Sequence, residues 1–105
     1  MVALAGCGSS VPPPNDEWAA AQADVGRAQQ GGSPDVPDAK LHLQLAQENL
    51  QKAKALIDDD NARATSLTAL ARVEATLALS LAKASKADAE ATKAKQDLQK
   101  LKTGN

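Results

Sequence analysis

From Asn61 to Thr103 the chain contains neither proline nor glycine. As a single helix that run of about 42 residues spans roughly 63 Å at 1.5 Å per residue, and it sets the length of the whole fold. Along it Leu70, Val73, Leu77, Ser80, Ala84, Ala87, Ala91, Ala94, Leu98 and Leu101 recur at alternating intervals of three and four. That spacing makes one heptad stripe, and it predicts a packing seam led by Leu70, Val73 and Leu77. Between Ala84 and Ala94 the stripe is alanine alone, flanked by Lys83, Lys86, Lys93 and Lys95. Alanines bury little area but let helix axes approach closely. This half is therefore expected to need cover from the first helix or from another protomer, with Leu98 and Leu101 as anchors.

Upstream the pattern repeats in shorter pieces. Ala39, Leu43, Ala46, Leu50, Ala53 and Ile57 are spaced 4, 3, 4, 3, 4, which predicts a second helix over 36–58 with Leu43, Leu50 and Ile57 in its seam. Asp35 and Pro37 mark its start. The acidic "DDDN" at 58–61 ends it and caps the third helix. Two striped helices joined by a short turn fold back as an antiparallel hairpin.

The second helix also carries Leu41, Leu45 and Leu56 on the side away from its seam, a surface for a partner or a further helix. Trp18, Ala21, Val25 and Ala28 give a first helix over 15–30, capped by Asn15 and ended at Gly31-Gly32. This helix either covers that second leucine set or stacks end to end with the second helix along the third. The fold class is thus all-α: an antiparallel helical hairpin or three-helix bundle with a long, coiled-coil-like C-terminal helix, all within 15–105.

Composition agrees with rods better than with a thick core. The 105 residues are 43% hydrophobic, yet there is no Phe or Tyr and Trp18 is the only aromatic. Ala, Leu, Lys, Gln and Glu favour helix. Net charge is −1, so the total gives no attraction to nucleic acid. The charge is uneven: 4 basic against 9 acidic residues before Arg63, and 8 against 4 from there on, as suits a chain folding back on itself.

The single cysteine stands in "LAGCGSSVPPPND". One thiol makes no internal disulfide, and one His with one Cys makes no zinc site. Leu4, Ala5, Gly6 and Cys7 resemble the lipobox of bacterial lipoproteins. The resemblance implies cleavage before Cys7, acylation of its thiol and amino group, and residence on a membrane through the lipid. Residues 1–6 then read as the remnant of a signal peptide and 7–14 as the lipidated cysteine with a flexible tether. Gly8 stands in the place where Asp signals inner-membrane retention in enterobacterial lipoproteins, which in a Gram-negative cell points to an outer-membrane anchor facing the periplasm.

Nothing in the pattern points to catalysis. His42 lies beside the second helix's seam, with no serine or carboxylate placed to make it a general base. Asp58, Asp59 and Asp60 would need Gly at 63 and Glu at 69 to begin an EF-hand, and those positions hold Arg63 and Ala69. Turn and capping chemistry explains them. Trp18 reads as the hydrophobic plug of the first helix, with a contact at a lipid or partner surface as the alternative. No enzyme activity, cofactor, metal or small-molecule substrate is expected.

The segment from Leu41 to Ala87, with its Leu-x3-Ala-x3-Leu spacing, acidic turn and Ala-Arg restart, together with "PPPNDEW", resembles a family of helical bacterial lipoproteins. Members carry a domain of unknown function, often beside or fused to an outer-membrane peptidoglycan-binding domain. The expected role is a non-enzymatic, lipid-anchored scaffold arm of the envelope that docks on its own copies or an envelope protein. The alternative is a helical adaptor or chaperone-like module for a client peptide or helix in the periplasm.

Overall fold

The computed structural model describes residues 11–104; Leu4, Ala5, Gly6 and Cys7 lie outside the described residues. Three helices follow in order: α1, Asn15–Gln30; α2, Pro37–Leu56; and α3, Asn61–Thr103. A 3₁₀ turn, Ser33–Asp35, joins α1 to α2.

Local chemistry sets each boundary. Asn15 is the first helical residue of α1 and not its cap; Pro14 occupies the cap position, with no side-chain cap. Asp16 and Glu17 still fall in the first turn, where they oppose the helix dipole. Gly32 adopts φ 95°, a left-handed conformation that a β-carbon penalises. Val36, expected inside the second helix, is extended at φ −117°, ψ 115°, because the ring of Pro37 crowds the residue before it out of the α region.

At its other end α2 stops at Leu56. Ile57 is extended and Asp58 turns left-handed at φ 77°. The turn closes by capping: the Asp58 amide donates to Asn61 Oδ1 at 2.7 Å, and the Arg63 amide to Asp60 Oδ1 at 3.1 Å.

Contacts along the helices fix the topology. His42 meets Glu74 across α2 and α3, so these two are antiparallel. Trp18 of α1 donates to the carbonyl of Leu50, Asp24 accepts from Arg72, and Leu79 fills the space that a β-carbon on Gly31 would take. Hence α1 runs antiparallel to α2 and parallel to α3. It lies beside α2, not end to end with it, and docks on the Leu50 side, not over Leu41, Leu45 and Leu56. The result is an up-down-up three-helix bundle.

The core is thin and rich in alanine. It joins Ala21, Val25 and Ala28 of α1, Leu43, Ala46 and Leu50 of α2, and Ala71, Ala75 and Ala78 of α3, with Trp18 and Leu79 packed at its edge. On α3 the inward stripe is Ala64, Thr68, Ala71, Ala75, Ala78 and Ala82, also spaced by fours and threes. This corrects the expected seam: Leu70, Val73 and Leu77 are exposed. The reason is volume, since Leu43 and Leu50 of α2 already fill the interface and small residues opposite let the axes close. Ala82 is the last buried residue of α3. From Lys83 to Thr103 the helix continues with every residue exposed, a rod standing clear of the bundle.

Candidate functional site

The described surface offers three features built by the packing just described. The first is the clamp between α2 and α3. His42 Nδ1 lies 2.5 Å from Glu74 Oε2 with both side chains partly exposed. The sequence places these residues 32 apart, so the expectation that no carboxylate is placed to act on His42 misses this partner; only the hairpin register brings them together. Among the described residues the ring makes no other hydrogen bond, and no nucleophilic hydroxyl joins it. The pair ties α2 to α3.

The second feature is the α1 docking edge. Asp24 accepts from Arg72 Nε at 2.7 Å and also pairs with Arg27. Its side chain keeps only 11% of its surface. Burial pushes its carboxyl upward, but the hydrogen bonds and charges of Arg72 and Arg27 outweigh that and hold it below the usual carboxylate range.

On the other edge of α1, Trp18 donates from Nε1 to the Leu50 carbonyl at 2.9 Å, and Lys54 Nζ lies 5.0 Å over the ring. A shallow groove runs between α1 and α2 there, lined by Trp18, Val25, Leu50 and the stem of Lys54. Trp18 is half-buried, so it both plugs the α1–α2 joint and shows a face to solvent.

The third feature is apolar surface without cover. Leu41 is exposed, while Leu45, Leu56 and Ile57 are half-buried; Leu43 and Leu50 are buried. On α3 the outward residues are Leu70, Val73 and Leu77, continued on the free rod by Leu98 and Leu101. A groove along α3, lined by Val73, Leu77, Ala69 and Thr76, borders the Asp24–Arg72 pair.

Val11 to Pro14, expected within a flexible tether, lie against the start of α3: Asn61 Nδ2 donates to the Val11 carbonyl at 3.0 Å, and Pro14 is buried. Among the described residues no helix is long and apolar enough to cross a membrane, and no cluster of three or more metal-ligating side chains occurs.

These features define an all-α three-helix protein whose third helix outruns its bundle. A family model for a domain of unknown function, DUF4398, matches residues 16–100, and the chain belongs to that family. No curated protein and no solved structure matches it.

Proposed function

We propose that this chain is a non-enzymatic, lipid-anchored protein of the bacterial envelope that serves as a scaffold arm. In this reading Cys7 carries the acyl anchor, the segment behind it spaces the bundle from an outer-membrane surface facing the periplasm, and α3 is the arm. The observation that carries it is the rod from Lys83 to Thr103. It is helical with every residue exposed, and since most helical stability in proteins comes from packing an apolar face, its stripe of alanines and leucines is the surface a partner would cover. The Leu4-Ala5-Gly6-Cys7 motif supports the anchor, and the use of the only histidine as a helix clamp supports mechanical work.

The test is a labelled-palmitate chase in the native host, with the Cys7→Ser variant alongside and membranes fractionated. Label on the wild-type chain in the membrane fraction, lost in Cys7→Ser, is the expected result. An unmodified amino terminus in the soluble fraction rules the reading out.

A second reading, an adaptor that takes a client peptide or helix in the periplasm, draws on the groove between α1 and α2 at Trp18 and Leu50. A client seated there quenches or shifts Trp18 fluorescence, whereas an arm working through α3 leaves it unchanged.

A further inference from the structure

We propose that the outward face of α3 is a parallel, in-register coiled coil with a second copy of this chain, running from Leu70 to Leu101. The proposal deepens the scaffold reading and rests on it for the arm's role.

The bundle uses one face of α3 and leaves the opposite one. At 100° per residue, the buried stripe through Ala71, Ala75, Ala78 and Ala82 and the outward stripe through Leu70, Val73, Leu77, Ser80 and Ala84 point about 150° apart. The outward stripe keeps its three-four spacing past the end of the bundle to Leu98 and Leu101. In heptad terms Leu70, Leu77, Ala84, Ala91 and Leu98 are a positions, and Val73, Ser80, Ala87, Ala94 and Leu101 are d positions. Sustained over more than four heptads, this exceeds the length at which a/d repeats specify a coiled coil. The leucines and valine at its two ends are 39–80% exposed in the single chain.

Charges beside the stripe choose the occupant and its direction. The g positions that bear charge are Lys83, Glu90 and Asp97; the charged e positions along the free rod are Asp88, Lys95 and Lys102. In a parallel pair in register, each g residue faces the e residue five places later on the other helix. Lys83 then meets Asp88, Glu90 meets Lys95, and Asp97 meets Lys102. All three pairs are opposite in sign, and the two-fold axis doubles each.

Antiparallel pairing sets g against g and e against e. The antiparallel register that overlaps the whole stripe pairs Lys83 with Glu90 and Glu74, already held by His42, with Lys95, but sets Asp88 against Leu81, Asp97 against Thr76 and Lys102 against Leu67, so it satisfies fewer of the rod's charges than the parallel pair. Asp97 takes Lys93 of its own helix at 2.8 Å through Oδ2, which leaves its other oxygen for the neighbour. Direction also agrees with attachment. Val11 lies beside Asn61 at the start of α3, so a parallel pair presents both front ends to one membrane, where an antiparallel pair sends them to opposite ends.

The experiment uses the full chain with Cys7→Ser, which leaves no thiol. Sedimentation equilibrium is expected to give a dimer. In that background Ala91→Cys, an a position, closes to a disulfide-linked dimer under mild oxidation, while Thr92→Cys, one residue around the helix, does not. Glu90→Lys weakens association about tenfold, because two attractive pairs become repulsive, and adding Lys95→Glu restores it. Circular dichroism shows each variant helical, since Glu90, Ala91, Thr92 and Lys95 are exposed. A monomer, equal crosslinking at 91 and 92, or indifference to charge reversal overturns the proposal. An acylated chain that sediments as a monomer overturns the pair and leaves the anchor standing, whereas a parallel dimer without acylation upholds the pair and removes the anchor.

Discussion

At Asp24 one carboxylate holds α1 to α3 through Arg72 while bracing Arg27 on its own helix. Its pKa is lowered in the folded chain, so the unfolded chain takes up the proton first as pH falls. The stability it contributes is therefore full above the unfolded carboxylate pKa of about 3.9 and lost as pH falls through the lower folded value. Asp24→Asn is expected to cost about 1 kcal/mol near neutrality, given two partly exposed guanidiniums, and to flatten the acid limb of stability below about pH 4. Urea titrations followed by Trp18 fluorescence at a series of pH values check both.

The two left-handed turn residues give a paired prediction by the same titration. Gly32→Ala destabilises by about 1 kcal/mol because the β-carbon is strained there, and Asp58→Gly is neutral or stabilises by up to about 1 kcal/mol by relieving the same strain.

Helix by helix, packing rests on a few leucines of α2 set against alanines. Leu43→Ala is expected to cost about 2–5 kcal/mol, since its neighbours are too small to collapse into the cavity. Leu77→Ala changes unfolding of the dilute single chain by less than about 0.5 kcal/mol; chemical denaturation distinguishes the two. The contrast marks how far the sequence was legible.

On α2 the apolar stripe and the large side chains coincide, so Leu43 and Leu50 announce the buried face. On α3 two stripes with the same three-four spacing lie nearly opposite each other, and ranking by side-chain size selects Leu70, Val73 and Leu77. The partner decides otherwise, because α2 brings the bulk and α3 must supply the space. The end of α2 was readable in the acidic turn, and its start at Pro37 follows from how proline restricts the residue before it. The His42–Glu74 contact and the Asp24–Arg72 pair were not readable, because they depend on the registers of α2 and α1 against α3. Of the candidate surface residues, Leu41 was placed outside by pattern alone, while Trp18 required the fold to show that its indole is tied to Leu50.

For the molecule as a whole, folding and reach are assigned to separate stretches. Every buried residue of α3 lies at or before Ala82, so a chain ending at Ser85 is expected to keep the bundle. Trp18 fluorescence and its denaturation midpoint in dilute solution should match those of the full chain, while helical circular dichroism falls by the residues removed. A loss of the Trp18 transition would show that the rod carries part of the bundle's stability.

Because α1 and α3 point the same way, with Val11 seated at Asn61, the described ends of the chain are separated by nearly the full span of α3, about 63 Å at 1.5 Å per residue. Dyes at positions 11 and 103 would sit too far apart for efficient energy transfer. The polypeptide is thereby a ruler graduated from its first proline to its last lysines, and a cargo fused after Thr103 would be held at that stand-off whatever grips the other end.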